Sequence, residues 1–353
     1  MISGIGNRQP GRCREKSMGR ERTKGIALIS VILAVALIAM ISAGMIANQH
    51  VDIHRTTNLI HRYQAYEYAL GVESWATRLL ARDALEQEKD IDHPGEAWAQ
   101  PLPSTDITGG MLTGRIEDLQ ARINLNNLDN LQPEDDHGGA AWGNDPMRFR
   151  NLLARCGLEP DLIWPVVDWI DGKDRDEPSP GGAEDYTYLG LDIPYRSANA
   201  PMADPSELVL VRGFEDDGYG CLAPFISALP EYVPVNVNTA SAPVLMAVVA
   251  GMTETQAEQI AKRRETQPYE SVDTFIEHVK TMGISGPEET FDKGSISVTS
   301  NYYLVVSSVR IGNTRMDLFS QVKRASGGGT RVLSRDWGAG IGGRIQENPN
   351  PGL

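Results

Sequence analysis

Cysteine is scarce: there are three among 353 residues, Cys13, Cys156 and Cys221. No cluster of Cys and His offers the soft ligands that zinc prefers. Positive charge is also short. Lys and Arg total 33 against 47 Asp and Glu, for a net charge of -14. Residues 1–25 hold a basic surplus of about five, so the remainder carries about -19. Such an acidic chain argues against a phosphate backbone as partner, and favours solubility or cation binding. Signatures of catalysis are missing too: there is no G-x-S-x-G, no H-E-x-x-H and no P-loop spacing. The carboxylates present would suit a hydrolase pair in principle, but no substrate-cleft signature accompanies them, so the chain reads as a non-enzyme. Hydrophobic content of 41% is ordinary, and the length leaves room for two or three compact units.

What the chain does have is one long apolar run, GIALISVILAVALIAMISAGMIA, from Gly25 to Ala47. As a helix at 1.5 Å per residue it covers roughly 33 Å, enough to cross a hydrocarbon core of ~30 Å. Arg20, Arg22 and Lys24 precede it, which keeps the N-terminus cytoplasmic and sends the rest outward. No proline follows for over forty residues, so the helix continues beyond the membrane. Three readings stand: a secretory signal removed near Ser42 or Gly44, a plain signal anchor, or cleavage at the Lys24-Gly25-Ile26 junction that leaves the membrane helix as the mature start. The last is favoured, and Met18 as an alternative start would give the short leader MGRERTKG.

In order, residues 26 to about 88 read as one helix, with Leu59, Tyr63, Tyr66, Leu70, Trp75 and Leu79 as its apolar face against a sheet. His50, His54 and His61 fall near one face and read as a solvated stripe. Residues 95–110 read as loop, and MLTGRIEDLQ with ARINLNNL as two strands or a hairpin, Asn124, Asn126 and Asn127 making tight turns. Short helices are expected at Pro146–Cys156, Asp161–Ile170, Ser206–Arg212 and Gly220–Leu229, two more after Val235, and one over Ser271–Lys280 with Ser271 as N-cap. After Gly294 strands return in SISVTS, YYLVVSSVRIG, RMDLFSQVKR and RVLSRDWG, with Gly312-Asn313 as a hairpin turn. Strands flanking a helical block give an α+β fold: a long helix on an antiparallel sheet, with an α domain inserted between strands.

Between Asp168 and Asp192 stand eight carboxylates, offset by Lys173 and Arg175. Charge alone leaves two readings, a solvated loop or a site for a hard oxygen-loving cation. Asp171-x-x-Asp174-x-Asp176 offers close oxygens, and Gly181-Gly182 lets the backbone fold back to bring in Glu184 and Asp185. The spacing departs from an EF-hand. Cys156 and Cys221 are either a disulfide or two buried small hydrophobes, which spacing does not decide. Val235–Ala240, the helices after it and Lys262-Arg263-Arg264 look like a helix-hairpin-helix unit. Its turn, Ala250 to Glu254, lacks a second Gly and gains Glu254, so a protein-packing module is preferred to a DNA reader.

The KG-IALISVILAVAL start, RINLNNL, VVDWIDGKDRDEPSPGGAEDYTY, PSEL and FISALPEYVPVNVNTASAPVL together resemble the type II secretion protein K family, the large minor pseudopilins. The resemblance implies a pilin-like long helix on an antiparallel sheet with an inserted all-α domain of two SAM-like or helix-hairpin-helix-like units. It divides the chain into a leader (1–25), membrane helix (26–47), pilin helix and first strands (48–132), inserted domain (133–290, its acidic part 133–234 and hairpin-like part 235–290), last strands (291–337) and a disordered tail (338–353). It implies cutting after Gly25 by a prepilin peptidase, methylation of Ile26, a single pass of the bacterial inner membrane and a periplasmic head. It implies a place at the pseudopilus tip with minor pseudopilins I and J, in secretion of folded exoproteins. Ser30 stands at the fifth mature position, where most pilin-like subunits have Glu, and this fits a tip subunit with no neighbour above. It also implies calcium in the helical domain, with Asp168, Asp171, Asp174, Asp176, Glu184 and Asp185 as candidate ligands. The alternative is a DNA-binding component of an uptake pilus.

Overall fold

The computed structural model describes residues 20–86, 91–129, 145–172, 179–214, 218–284, 293–325 and 327–337. A helix, α1 (Arg20–Glu86), opens the chain. Residues up to Ile60 form one unit and those from His61 a second. In the first, every side chain from Ile26 to Ile60 is exposed. An apolar helix exposed on all sides suits hydrocarbon rather than water. The Ser30 hydroxyl donates to the Ile26 carbonyl at 2.9 Å, so the polar group inside the run is satisfied within its own helix.

The second unit is built on a five-stranded antiparallel sheet ordered β1-β2-β7-β8-β9. Its strands are β1 (Leu102–Ile107), β2 (Gly110–Asp118), β7 (Tyr302–Ile311), β8 (Thr314–Arg324) and β9 (Thr330–Trp337). Between β2 and β7 lies the inserted segment. It contains β3 (Ile123–Asn124), α2 (Asp145–Arg155), α3 (Ile163–Ile170), α4 (Asp185–Tyr188), α5 (Gly218–Leu222), β4 (Ile226–Ser227), β5 (Val235–Asn236), α6 (Ala242–Val248), α7 (Glu254–Arg264), α8 (Val272–Thr281) and β6 (Ile296–Ser297). It has its own core, which runs from Ile123 through Phe149, Trp164, Leu208, Val244 and Phe275 to Val298.

The face of α1 that meets the sheet differs from the large apolar stripe expected. Of the six expected residues, Leu59 and Tyr63 are exposed, Tyr66, Leu70 and Trp75 pack partly buried against the core, and Leu79 is buried with Ala65, Ala69, Val72, Ala76 and Leu80. The steps are still three and four, but alanine fills half of them. Small side chains let the helix backbone lie close to the strands, a gain that hydrophobicity alone does not reveal. Against this stripe pack Tyr303, Val305, Val309, Ile311, Leu318 and Val322. On the opposite face, Leu119, Leu229 and Val233 cover Tyr302, Leu304 and Val306. Glu73 is buried on α1, accepting from Ser320 Oγ at 2.6 Å and from Arg335 Nε and Nη2 at 2.7 and 2.8 Å. This fastens the last strand to the helix.

Other expectations shift. Residues 102–107 are strand rather than loop; β1 is an edge with a polar middle and a bulge, so no apolar alternation marks it. The hairpin is β1–β2, not the pairing of 111–120 with 121–128. Ile123–Asn124 instead pairs in parallel with Ile226–Ser227. Within SISVTS, Ile296–Ser297 pairs with Val235–Asn236 and not with the large sheet. The 206–212 helix is a 3-10 segment, Pro205–Leu210, opened by an Asp204/Glu207 capping box. The 220–229 helix is only α5, because Pro224 follows at once in a 3-10 turn. The three asparagines do more than close turns: Asn124 accepts from Leu229 N–H, Asn126 donates to the Met202 and Leu229 carbonyls, and Asn127 donates to the Val233 carbonyl. Ser271 caps α8 as expected. Gly312, with φ +55°, turns β7 into β8.

A buried polar knot joins these parts. Arg324, at the end of β8, reaches Asp83 on α1 and Asp92, each at 2.6 Å. Asp92 is fully buried and also accepts from Ser300 N–H and Tyr303 Oη, both at 2.7 Å. Asp118, at the end of β2, accepts from Ser300 Oγ, Thr239 Oγ1 and Asn236 Nδ2. Burial pushes its carboxyl up to about 6, against the pull of those hydroxyl donors. Replacing Arg324 by Met should leave Asp92 buried without its cation. A loss of about 3–5 kcal/mol is expected, read from urea denaturation of the full chain in detergent; a loss below about 1 kcal/mol would mean the pairing is incidental.

Candidate metal centre

The fully buried helix α3 reads IWPVVDWI, and Asp168 is its single charge. Asp171 caps its C-terminal end, its N–H donating to the Val167 carbonyl at 2.9 Å. A spacing of three on a helix brings the two carboxylates to one face. The chain then returns through Ser179-Pro180-Gly181-Gly182. The Gly182 N–H donates to the Ser179 carbonyl at 2.8 Å, and Gly181 has φ +84°. Pro second and a left-handed Gly third are the residues a type II turn requires. The turn wraps Asp168, whose two oxygens accept from the Ser179 N–H at 3.2 Å each. A Cβ on Gly182 would stand 1.8 Å from Asp168 Oδ2, so only glycine fits there.

Past the turn, Glu184 stands at the N-cap position of α4, with no side-chain capping bond. Its carboxylate comes within reach of the other two: ligand oxygens from Asp168, Asp171 and Glu184 all lie within 4.8 Å of one another. All three residues are buried, at 0%, 3% and 5% exposure. Glu184 Oε2 accepts from Ser197 Oγ at 3.4 Å, while Oε1 is buried with no hydrogen-bond donor. Burial, then the charges of Asp168 and Asp171, push the Glu184 carboxyl up to about 7. Burial pushes Asp168 up as well, opposed by its Ser179 and Ala183 contacts and by the charge of Arg212.

Three carboxylates so placed repel one another when ionised. A hard cation would resolve this. Oxygens bound at ~2.4 Å to one calcium ion lie at most about 4.8 Å apart, and three carboxylates supply up to six of the six to eight oxygens it takes. The donor set therefore fits calcium, and it lacks the nitrogen and sulfur that zinc prefers.

Of the six ligands expected from the sequence, the structure brings together Asp168, Asp171 and Glu184. Asp185 turns elsewhere: it pairs with Arg196 at 2.7 Å and accepts from the Ser197 N–H at 3.0 Å. A charged partner on the following loop outbids the cluster for it. Asp174 and Asp176 lie outside the described residues. A second acidic group, Asp83, Asp92 and Glu96, is equally compact. There Arg324 already bridges Asp83 and Asp92, and Glu96 accepts from the His93 N–H and Trp98 Nε1. Cys156, just after α2, and Cys221, in α5, form a disulfide with Cα atoms 5.9 Å apart, and the residues it spans include all three clustered carboxylates.

The hairpin-like part offers little to nucleic acid. Gly251, with φ +81°, turns the chain between α6 and α7, and Thr253 caps α7 with Gln256. Of its basic residues, Arg264 is buried and donates to the Val237 carbonyl at 2.8 Å. Arg263 lies over the Tyr269 ring at 4.6 Å. Both are committed to packing within the module, while Lys262 is exposed.

Two family models described as "Type II secretion system (T2SS), protein K" match residues 121–231 and 235–299. The type II secretion system protein K of Pseudomonas aeruginosa is 37% identical over 334 residues, covering 91% of this chain and 95% of the relative. That of Pectobacterium carotovorum is 32% identical over 330 residues, 90% of this chain and 98% of the relative. Among solved structures, the GspK–GspI–GspJ complex from enterotoxigenic Escherichia coli contains a chain with the same fold. Its TM-score is 0.70 at 23% identity, covering 80% of this chain and 99% of that one.

Gly182→Ala should force Asp168 off its turn. Overpacking of this kind costs about 1–3 kcal/mol, measurable as a lower urea midpoint; an unchanged midpoint would show that the turn yields without cost.

Proposed function

The chain belongs to the type II secretion system protein K family, the minor pseudopilins of that system, and from this membership we propose that it caps a periplasmic pseudopilus. It does so with minor pseudopilins I and J, and its work is assembly of a secretion device for folded exoproteins rather than catalysis. The single observation that supports this most is likeness along nearly the whole chain, 37% identity over 91% of its length. The likeness covers helix, sheet and inserted segment alike, so the chain has the parts such a role requires.

The N-terminus supports the anchoring step. The run from Ile26 to Ala47 is uncharged and fully exposed in its helix. Cutting after Gly25 by a prepilin peptidase frees the amine of Ile26 for methylation and leaves the helix in the inner membrane. Ser30 makes no demand for a partner charge, because its hydroxyl bonds within the helix. A subunit with nothing stacked above it needs no more. The head then lies in the periplasm, an oxidising compartment compatible with a Cys156–Cys221 disulfide.

Calcium belongs to the same reading. Asp168, Asp171 and Glu184 would hold it, the buried, undonated Glu184 Oε1 being the strongest support. The ion would neutralise the cluster and lock α3, the Ser179–Gly182 turn and the start of α4 together. Its contribution is structural.

Tagged chain drawn from detergent extracts of its own cells should bring minor pseudopilins I and J with it, and its intact mass should begin at methylated Ile26. A start near residue 45 or 48, or recovery without I and J, would overturn the tip assignment. Chelation should lower the melting temperature by about 5–10 °C for a site held near 100 times its Kd. Excess calcium should restore it, and Asp171→Ala should melt low with or without calcium. An EDTA-insensitive melt would remove calcium from the account.

A further inference from the structure

We infer that Arg212 is a positioning residue for the cation site, acting on the ligands from outside the coordination shell; this rests on the calcium reading above. Arg212 stands on a firmly seated piece of backbone. Its neighbours Val211 and Phe214 are fully buried. Gly213, with φ +93°, presses onto Leu162, so closely that a Cβ there would stand 2.3 Å from Leu162 Cδ2. Leu162 immediately precedes α3, the helix that carries Asp168. The arginine is thus fixed relative to the element that supplies two of the three ligands.

From that seat Arg212 reaches both other parts of the site. Its Nη2 donates to the carbonyl of Gly181, the left-handed residue of the turn that wraps Asp168. Its backbone N–H meets the Tyr188 hydroxyl at 3.4 Å, at the end of α4, the helix with Glu184 at its N-cap position. Tyr188 is itself held edge-on against Trp169 of α3, with ring centroids 5.3 Å apart. The side chain thus holds the turn, while the backbone of Arg212 and Gly213 meets the end of α4 and the residue before α3. The guanidinium bonds the Gly181 carbonyl rather than any of the three carboxylates, which leaves their oxygens to the ion.

Two effects of Arg212 oppose one another. Its positive charge, close enough to act on Asp168, repels an incoming cation. Its Nη2 holds the turn, and with it the geometry of the ligands. If charge dominated, removing Arg212 would tighten calcium binding. If positioning dominates, removal weakens it. The side-chain bond falls on the left-handed residue of the turn that wraps Asp168, while the guanidinium charge is exposed and screened by solvent, which points to the second; groups just outside a metal's ligands typically alter affinity by about 10–100-fold.

Calcium titration calorimetry on chelator-treated full chain in detergent distinguishes the cases. Arg212→Met should bind calcium at least about tenfold more weakly than wild type, although it has lost a like charge, and should melt close to wild type in excess EGTA. Equal or tighter binding by this variant overturns the inference and leaves the calcium reading standing. Wild-type chain that takes up no calcium overturns both. Arg212→Leu likewise removes the donor, and carries the test if the Met variant fails to fold. Weaker calcium binding with a wild-type melt in EGTA supports positioning, and an unchanged Kd overturns it.

Discussion

A carboxylate with no exposure, such as Asp92, costs several kcal/mol to bury when nothing opposes its charge. Arg324 opposes it, and the pairing decides where the rest of the head lies. Arg324 ends β8, Asp83 lies on α1, and Asp92 lies on the connection that leaves it. Ser300 and Tyr303, which donate to Asp92, begin the return into the sheet. Through Ser300 Oγ the knot continues to Asp118 and so to Asn236 and Thr239 of the inserted segment. Helix, sheet and insertion therefore share one polar junction, whose donors and acceptors match only when all three are in place. Apolar packing holds each part together; this junction fixes their register.

Much of this was legible in the residues. The uncharged run from Ile26 to Ala47, the β-branched stretch YYLVVSSVRI, the Gly312 turn and the Ser271 cap all carry local signals that the fold keeps. Strand patterns on either side of a helical block marked the insertion, and the resemblance to a known family supplied the likeness along the chain. What was not legible depends on distance. The alanine stripe of α1 reads as bland because its value lies in how close a strand can come. The polar edge strand β1 has no alternation to detect. The two-residue pairings of β3 with β4 and of β5 with β6 join residues about a hundred or sixty positions apart, which no local pattern announces.

The acidic segment shows the same division. Its excess of carboxylates and the Gly181-Gly182 pair were visible, and they fall in the stretch where three carboxylates converge. Which carboxylates converge was not, because Asp185 is drawn off by Arg196 and Ser197. Ser179-Pro180-Gly181-Gly182 is a turn signature, but nothing local announces that it wraps Asp168, eleven residues back. Arg212 had no signal at all, since it lies 31 residues beyond the carbonyl it holds.

The register of β2 with β7 sets Asp118 directly beside Tyr303. The chain therefore departs for the insertion and comes back at a single rung of the ladder. Topologically the whole helical block is the loop of one hairpin. A loop can lengthen, shorten or acquire new elements at little entropic cost, since closure grows only with the logarithm of length. The sheet and α1 can thus be inherited unchanged while the block between them is remodelled, provided its two ends still meet at that rung.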